Sequence, residues 1–157
     1  MAFQAVVRSK RMTNQCKPPS NLYFPYFLMF FQKFFQGYPM LGLLLVDHGS
    51  RRAESNAQLD DMAQRVQALR PGAIVRAVHM EITEPTIAQG IDSLAAAGAT
   101  EIRVLMYFLS DGRHSREDVP ALVSAAMEAH PGIRVTCGQA LGPHDVLAAL
   151  LLERAGT

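Results

Sequence analysis

Two histidines of this chain, His48 and His114, stand in short polar segments crowded with glycine and arginine. The first reads Asp47-His48-Gly49-Ser50-Arg51-Arg52, the second Ser110-Asp111-Gly112-Arg113-His114-Ser115-Arg116-Glu117-Asp118. An imidazole can bind a divalent first-row metal or take up a proton near neutral pH. Two of them leave most of a metal's coordination sphere open, which suits an ion that is to be handed on rather than caged. Gly49 lets backbone approach a ligand closely, and Arg51, Arg52, Arg113 and Arg116 together offer a site for a polyanion. Plainer readings stand beside these: a histidine capping a sheet edge, and a solvated basic rim. Glu81 and Glu84 bracket a third segment, Glu81-Ile82-Thr83-Glu84-Pro85. Either can accept protons, steer a hydrated metal, or simply favour the start of a following helix. In a fourth, Leu141-Gly142-Pro143-His144, the histidine reads first as a residue near a helix start. Asp118 reads as a first-turn helix residue, His79 as a strand end and His130 as a helix C-terminal charge.

These segments connect strands to helices in a regular pattern. Residues 41–46, LGLLLV, form a continuous aliphatic run, as in a strand buried on both faces of a parallel sheet. Residues 54–69 place Leu59, Met62, Val66 and Leu69 on one helical stripe, which Pro71-Gly72 ends. Residues 73–80 read as a second strand. The next helix runs over 84–98, with Thr83 as N-cap, Pro85 near the first helical position and Gly98 as C-cap. A third strand spans 101–109, and a helix that Ser115 starts runs to His130. Residues 133–138 give the fourth strand and 143–156 the closing helix. The alternation predicts an α/β fold of βαβ units with right-handed crossovers and a four-stranded parallel sheet. In open parallel sheets ligands bind outside the carboxyl ends of the strands, where all four connections lie. If the first and third strands are neighbours, both imidazoles can face one crevice.

Length and composition agree with one globular domain: 157 residues, 49% hydrophobic, 18% charged, net charge +1. No charge excess points to a nucleic-acid partner. The charge is divided unevenly. Residues 1–46 hold five basic residues (Arg8, Lys10, Arg11, Lys17, Lys33) and no acid, while the remainder holds 10 Lys+Arg against 14 Asp+Glu. Residues 21–36 are rich in Phe and Tyr but broken by Pro25, Gln32 and Lys33. Their apolar part is shorter than the roughly 20 residues a spanning helix needs, and no secretory cleavage pattern follows. Residues 1–39 are therefore expected to lie outside the fold and 40–157 to form it, with Met40 as the natural start; an interfacial or partner-binding arm is the rival. Cys16 and Cys137 fall in no metal or disulfide pattern, so a reducing compartment, the cytoplasm, is expected.

The residues around the two histidines resemble the signatures of sirohydrochlorin chelatases of the small cobaltochelatase type. They are Leu45-Val46-Asp47-His48-Gly49-Ser50-Arg51 and Tyr107-Phe108-Leu109-Ser110-Asp111-Gly112-Arg113-His114-Ser115-Arg116-Glu117-Asp118-Val119-Pro120. Residues 81–85 and 141–144 are similar in style, so the resemblance runs from about Leu41 to Ala155. Asp47 departs from the glycine common there, residues 1–39 match nothing in the family, and the cysteine-rich segment of plant relatives is missing. The resemblance implies a small three-layer α/β domain that inserts a divalent metal (cobalt, iron or nickel) into sirohydrochlorin, on the route to cobalamin or sirohaem. It implies His48 as proton acceptor and metal ligand and His114 as second ligand. Glu84 and the run Leu109, Ser110, Asp111, Gly112, Arg113 and His114 would line the substrate. No ATP-binding loop is present. The metal would be substrate, with no permanently bound cofactor. Long members contain two such halves, so one half implies a homodimer whose cleft is completed by pairing. Two other readings stand: a non-catalytic metal or tetrapyrrole carrier using the same cleft, and a phosphate-ester enzyme, for which no nucleophile arrangement or glycine-rich phosphate loop is seen.

Overall fold

The computed structural model describes residues 39–157, so the expectation for residues 1–39 lies almost wholly outside the described residues. Strands β1 (Leu41–Asp47), β2 (Ile74–His79), β3 (Glu101–Met106) and β4 (Arg134–Cys137) alternate with helices α1 (Ala53–Leu69), α2 (Ile87–Ala96), α3 (Val119–Met127) and α4 (Asp145–Ala155). All strand pairs are parallel, in the order β2-β1-β3-β4. The chain therefore turns to one side of β1 for β2 and to the other for β3. The first and third strands are neighbours, as a shared crevice requires.

The aliphatic run of β1 follows from its central place. Leu44 and Val46 point into a core with Val78 of β2, Ile102, Val104 and Met106 of β3, Ile87, Ile91 and Leu94 of α2, and Val119 and Val123 of α3. Burying each such side chain contributes about 1.5–3 kcal/mol. Gly90 brings α2 close to the sheet: a Cβ there would lie 2.3 Å from Val78 Cγ1 and 2.7 Å from Leu44 Cδ1. The opposite face is thinner, with Leu43, Ala73 and Val75 buried and Leu41, Ala63, Val66 and Leu105 packed around them. Helix α4 buries no residue and exposes Val146, Leu150, Leu151 and Leu152.

Several local expectations are corrected. Leu69 leaves the predicted stripe and is 80% exposed, because α1 ends there and the chain turns away. The side chain of Gln67 closes that end, donating to the carbonyls of Arg70 and Ala73 and accepting from the N–H of Val75. Helix α2 is capped by Thr86 in a reciprocal box with Gln89, not by Thr83. The residues before it are held to the sheet, since the N–H of His79 donates to the Pro85 carbonyl at 2.8 Å. Strand β3 stops at Met106 rather than 109, and the third helix begins with a π-helical turn, His114–Asp118. Ser115 is buried in that turn and binds Asp111 and Gly112 instead of capping a helix.

Candidate metal centre

His48 follows β1, Glu81 follows β2 and His114 lies beyond β3, so three adjacent strands deliver them to one edge of the sheet. The gap between β1 and β3 is where the strand order reverses, the place where sheets of this kind open a crevice. There the two imidazoles meet: their ring centroids are 5.0 Å apart, with planes at 84°. Glu81 Oε1 lies 3.2 Å from His48 Nε2, and both side chains are about half exposed. On the other side, His114 Nδ1 lies 2.8 Å from Asp118 Oδ2. A carboxylate only accepts, so the Nδ1–H of His114 donates to Asp118 and its Nε2 is left to accept or ligate.

The loop of His48 is joined to that of Glu81 by main-chain bonds. Met80 N–H donates to the Asp47 carbonyl at 2.9 Å and Glu81 N–H to the His48 carbonyl at 3.3 Å. Gly49 has φ +86°, a conformation side chains disfavour, and a Cβ there would lie 2.3 Å from the Glu81 carbonyl oxygen. Asn56 of α1 brackets Ser50 from both sides, accepting from its N–H and donating to its carbonyl, each at 2.9 Å.

The remaining residues singled out in the sequence are spread around this centre. Arg51 and Arg52 are exposed. Arg113 pairs with Glu117 and Asp118 at 3.9 and 3.5 Å. Arg116 binds Asp111 at 2.6 Å. That guanidinium, and after it the Ser115 hydroxyl, hold the Asp111 carboxyl below its ordinary value, while Asp111 raises the pKa of Arg116. Arg116 is thus engaged inside its own loop. Leu109, Ser110, Asp111 and Gly112 form an exposed rim, and Glu84 accepts from Gln89 at 3.2 Å. His144 caps α4 by accepting from Val146 N–H, and its loop is tied to the third one by a bond from Leu141 N–H to the Phe108 carbonyl. His130 reaches back to Asp92 of α2. His79 ends β2, as read from the sequence, but sequence reasoning missed its partnership with Asp47: His79 is buried, and its Nδ1 lies 2.6 Å from Asp47 Oδ1.

Two imidazoles with a carboxylate beside them suit a first-row divalent ion. Among the described residues, no three His, Cys, Asp or Glu side chains gather tightly enough to enclose one. Also among them, no helix is long and apolar enough to cross a membrane.

The family model described as CbiX matches residues 42–157. The chain is 35% identical over 113 residues to the chloroplastic sirohydrochlorin ferrochelatase of Arabidopsis thaliana, covering 72% of this chain and 50% of that protein. It is 32% identical over 123 residues to the sirohydrochlorin cobaltochelatase of Methanococcoides burtonii, covering 73% and 94%. Among solved structures, the sirohydrochlorin chelatase SirB from Bacillus subtilis subspecies spizizenii, in complex with cobalt, superposes with a TM-score of 0.71 at 25% identity, over 74% of this chain and 50% of that one. This chain therefore spans about half the length of the Arabidopsis and Bacillus relatives and nearly all of the archaeal one.

Proposed function

The chain belongs to the CbiX family, and from that premise we propose that it inserts a divalent metal into sirohydrochlorin. The observation that carries the proposal is the imidazole pair, 5.0 Å apart at the strand-order reversal, with Glu81 beside His48. Insertion exchanges the metal's water for pyrrole nitrogens while the macrocycle gives up its inner N–H protons. A base beside the metal serves both halves of that exchange. His48 would be ligand and proton acceptor, His114 the second ligand, and Glu81 an additional oxygen donor or proton acceptor. The exposed rim of Leu109, Ser110, Asp111, Gly112 and Arg113, with Glu84, would line the tetrapyrrole, and Arg51, Arg52 and Arg113 are available to its carboxylates. Arg116 would act indirectly, by holding Asp111 in place. Cobalt, iron and nickel all suit imidazole; each would enter as substrate, with no resident cofactor.

We also propose a homodimer and a cytoplasmic reaction. The dimer is supported by α4, whose Val146, Leu151 and Leu152 are 60–72% exposed. Residues 1–39 are proposed to be dispensable to the domain over 40–157.

Spectrophotometric insertion assays with sirohydrochlorin and each metal in turn test the reading. Insertion well above the spontaneous rate is expected. Tight binding of metal or tetrapyrrole without faster insertion would make the protein a carrier.

A further inference from the structure

We propose that Asp47 and His79 form a buried positioning pair that sets the geometry of His48; the inference rests on the chelatase reading above. The two residues are register partners at the ends of β1 and β2. His79 is only 4% exposed. Its Nδ1 lies 2.6 Å from Asp47 Oδ1, and the same oxygen accepts the Gly49 N–H at 2.9 Å. A carboxylate only accepts, so His79 is the donor in this pair. One oxygen thus ties the residue after His48 to the neighbouring strand, and the residue before His48 supplies that oxygen.

The surroundings leave this loop little alternative. Gly49 packs against His79 itself, since an added Cβ would lie 3.1 Å from His79 Cβ. The main chain of His79 is fixed from the other side: its N–H donates to the Pro85 carbonyl and it bridges to Thr86, the cap of α2. The pair therefore links the start of α2 to the backbone on both sides of His48. The pair His48–Glu81, by contrast, is about half exposed. Hydrogen bonds that orient a ligand from behind typically govern metal affinity or activity about 10- to 100-fold.

The test uses the full chain with Asp47→Ala and His79→Leu, which remove the acceptor and the donor, and Asp47→Asn and His79→Asn, which keep each bond in neutral form. Readouts are kcat and KM for cobalt insertion, cobalt affinity by visible absorption, and Tm. The first two variants should lose about 10- to 100-fold in kcat and cobalt affinity, with KM for the tetrapyrrole unchanged, and both Asn variants should recover most of it. Unaltered kcat in Asp47→Ala or His79→Leu, or Asn variants as impaired as these, would overturn the proposal. If the first two fail to fold, imidazole ¹⁵N resonances of the unaltered protein decide. A protonated Nδ1 on His79 that shifts when cobalt is added is expected; a bare Nδ1, or no shift, overturns it. Failure of the unaltered protein to insert metal would count against the chelatase reading instead.

Discussion

His48 stands one residue beyond β1, and its loop is sewn to β2 by bonds between residues far apart in the chain, Asp47 to His79 being 32 positions distant. His114 opens a π-helical turn, and its partner Asp118 is four positions on. Around His114 the described polar side-chain contacts stay within residues 111–118: Ser115 and Arg116 on Asp111, Arg113 on Glu117 and Asp118. One arm of the centre is thus held by the sheet, the other by its own sequence. A sheet-held loop has its position imposed by strand register, so it is rigid and intolerant of added volume. A self-bonded loop owes its shape to residues near it in sequence, which would suit the side of the proposed centre that meets the tetrapyrrole.

The largest expected effect separates the two imidazoles. His48→Ala should lower the insertion rate about 10²- to 10⁴-fold, the usual loss for a general base. His114→Ala should lower it less, with tetrapyrrole binding retained. Insertion kinetics with cobalt decide, and equal losses would erase the distinction between the arms. The next contrast is steric. Gly49→Ala forces a side chain into a φ of +86° and against the Glu81 carbonyl, and should cost about 1–3 kcal/mol of stability. Gly112→Ala meets nothing within 4 Å and should stay within about 0.5 kcal/mol. Urea unfolding of both variants checks this; comparable costs would mean that the His114 loop is as confined as its neighbour.

Asp118→Ala should weaken cobalt binding by about tenfold, at the low end for a residue behind a ligand, and Asp118→Asn should restore it. Acid should act on the self-bonded arm through Asp111. Its folded pKa is depressed by Arg116 and Ser115, so its contribution is present above the ordinary carboxylate pKa and is lost as pH falls through the lowered value. An NMR titration of the Asp111 carboxyl should show that late protonation, and Arg116→Gln should move it back up. The smallest effect is expected from a chain beginning at Met40, whose insertion rate and Tm should equal those of the full chain. A drop in either would tie the aromatic segment to the domain.

Much of the fold is legible in the residues. The aliphatic run 41–46 marks a strand with two covered faces, Pro71-Gly72 follows the end of α1, and the two histidine segments follow β1 and β3. The true cap of α2 was also there to be read: Thr86-Ile87-Ala88-Gln89 is an S/T-x-x-Q box, whereas Thr83 is followed three positions later by another threonine. The π-helical turn left no comparable trace, because Ser115 with Asp118 three positions on looks like any helix start.

By itself the sequence determined the order of strands and helices, through the periods of its apolar residues, and brought both histidines to the carboxyl edge of the sheet. Only the tertiary structure decided that β1 lies between β2 and β3, and hence that His48, Glu81 and His114 converge. It alone made His79, at the end of β2, the buried partner of Asp47. The physical reason is that spacing along a chain governs which face a residue takes within its own element. Which elements become neighbours, and in what register, is settled by burying faces against one another, and that involves residues with no local pattern in common.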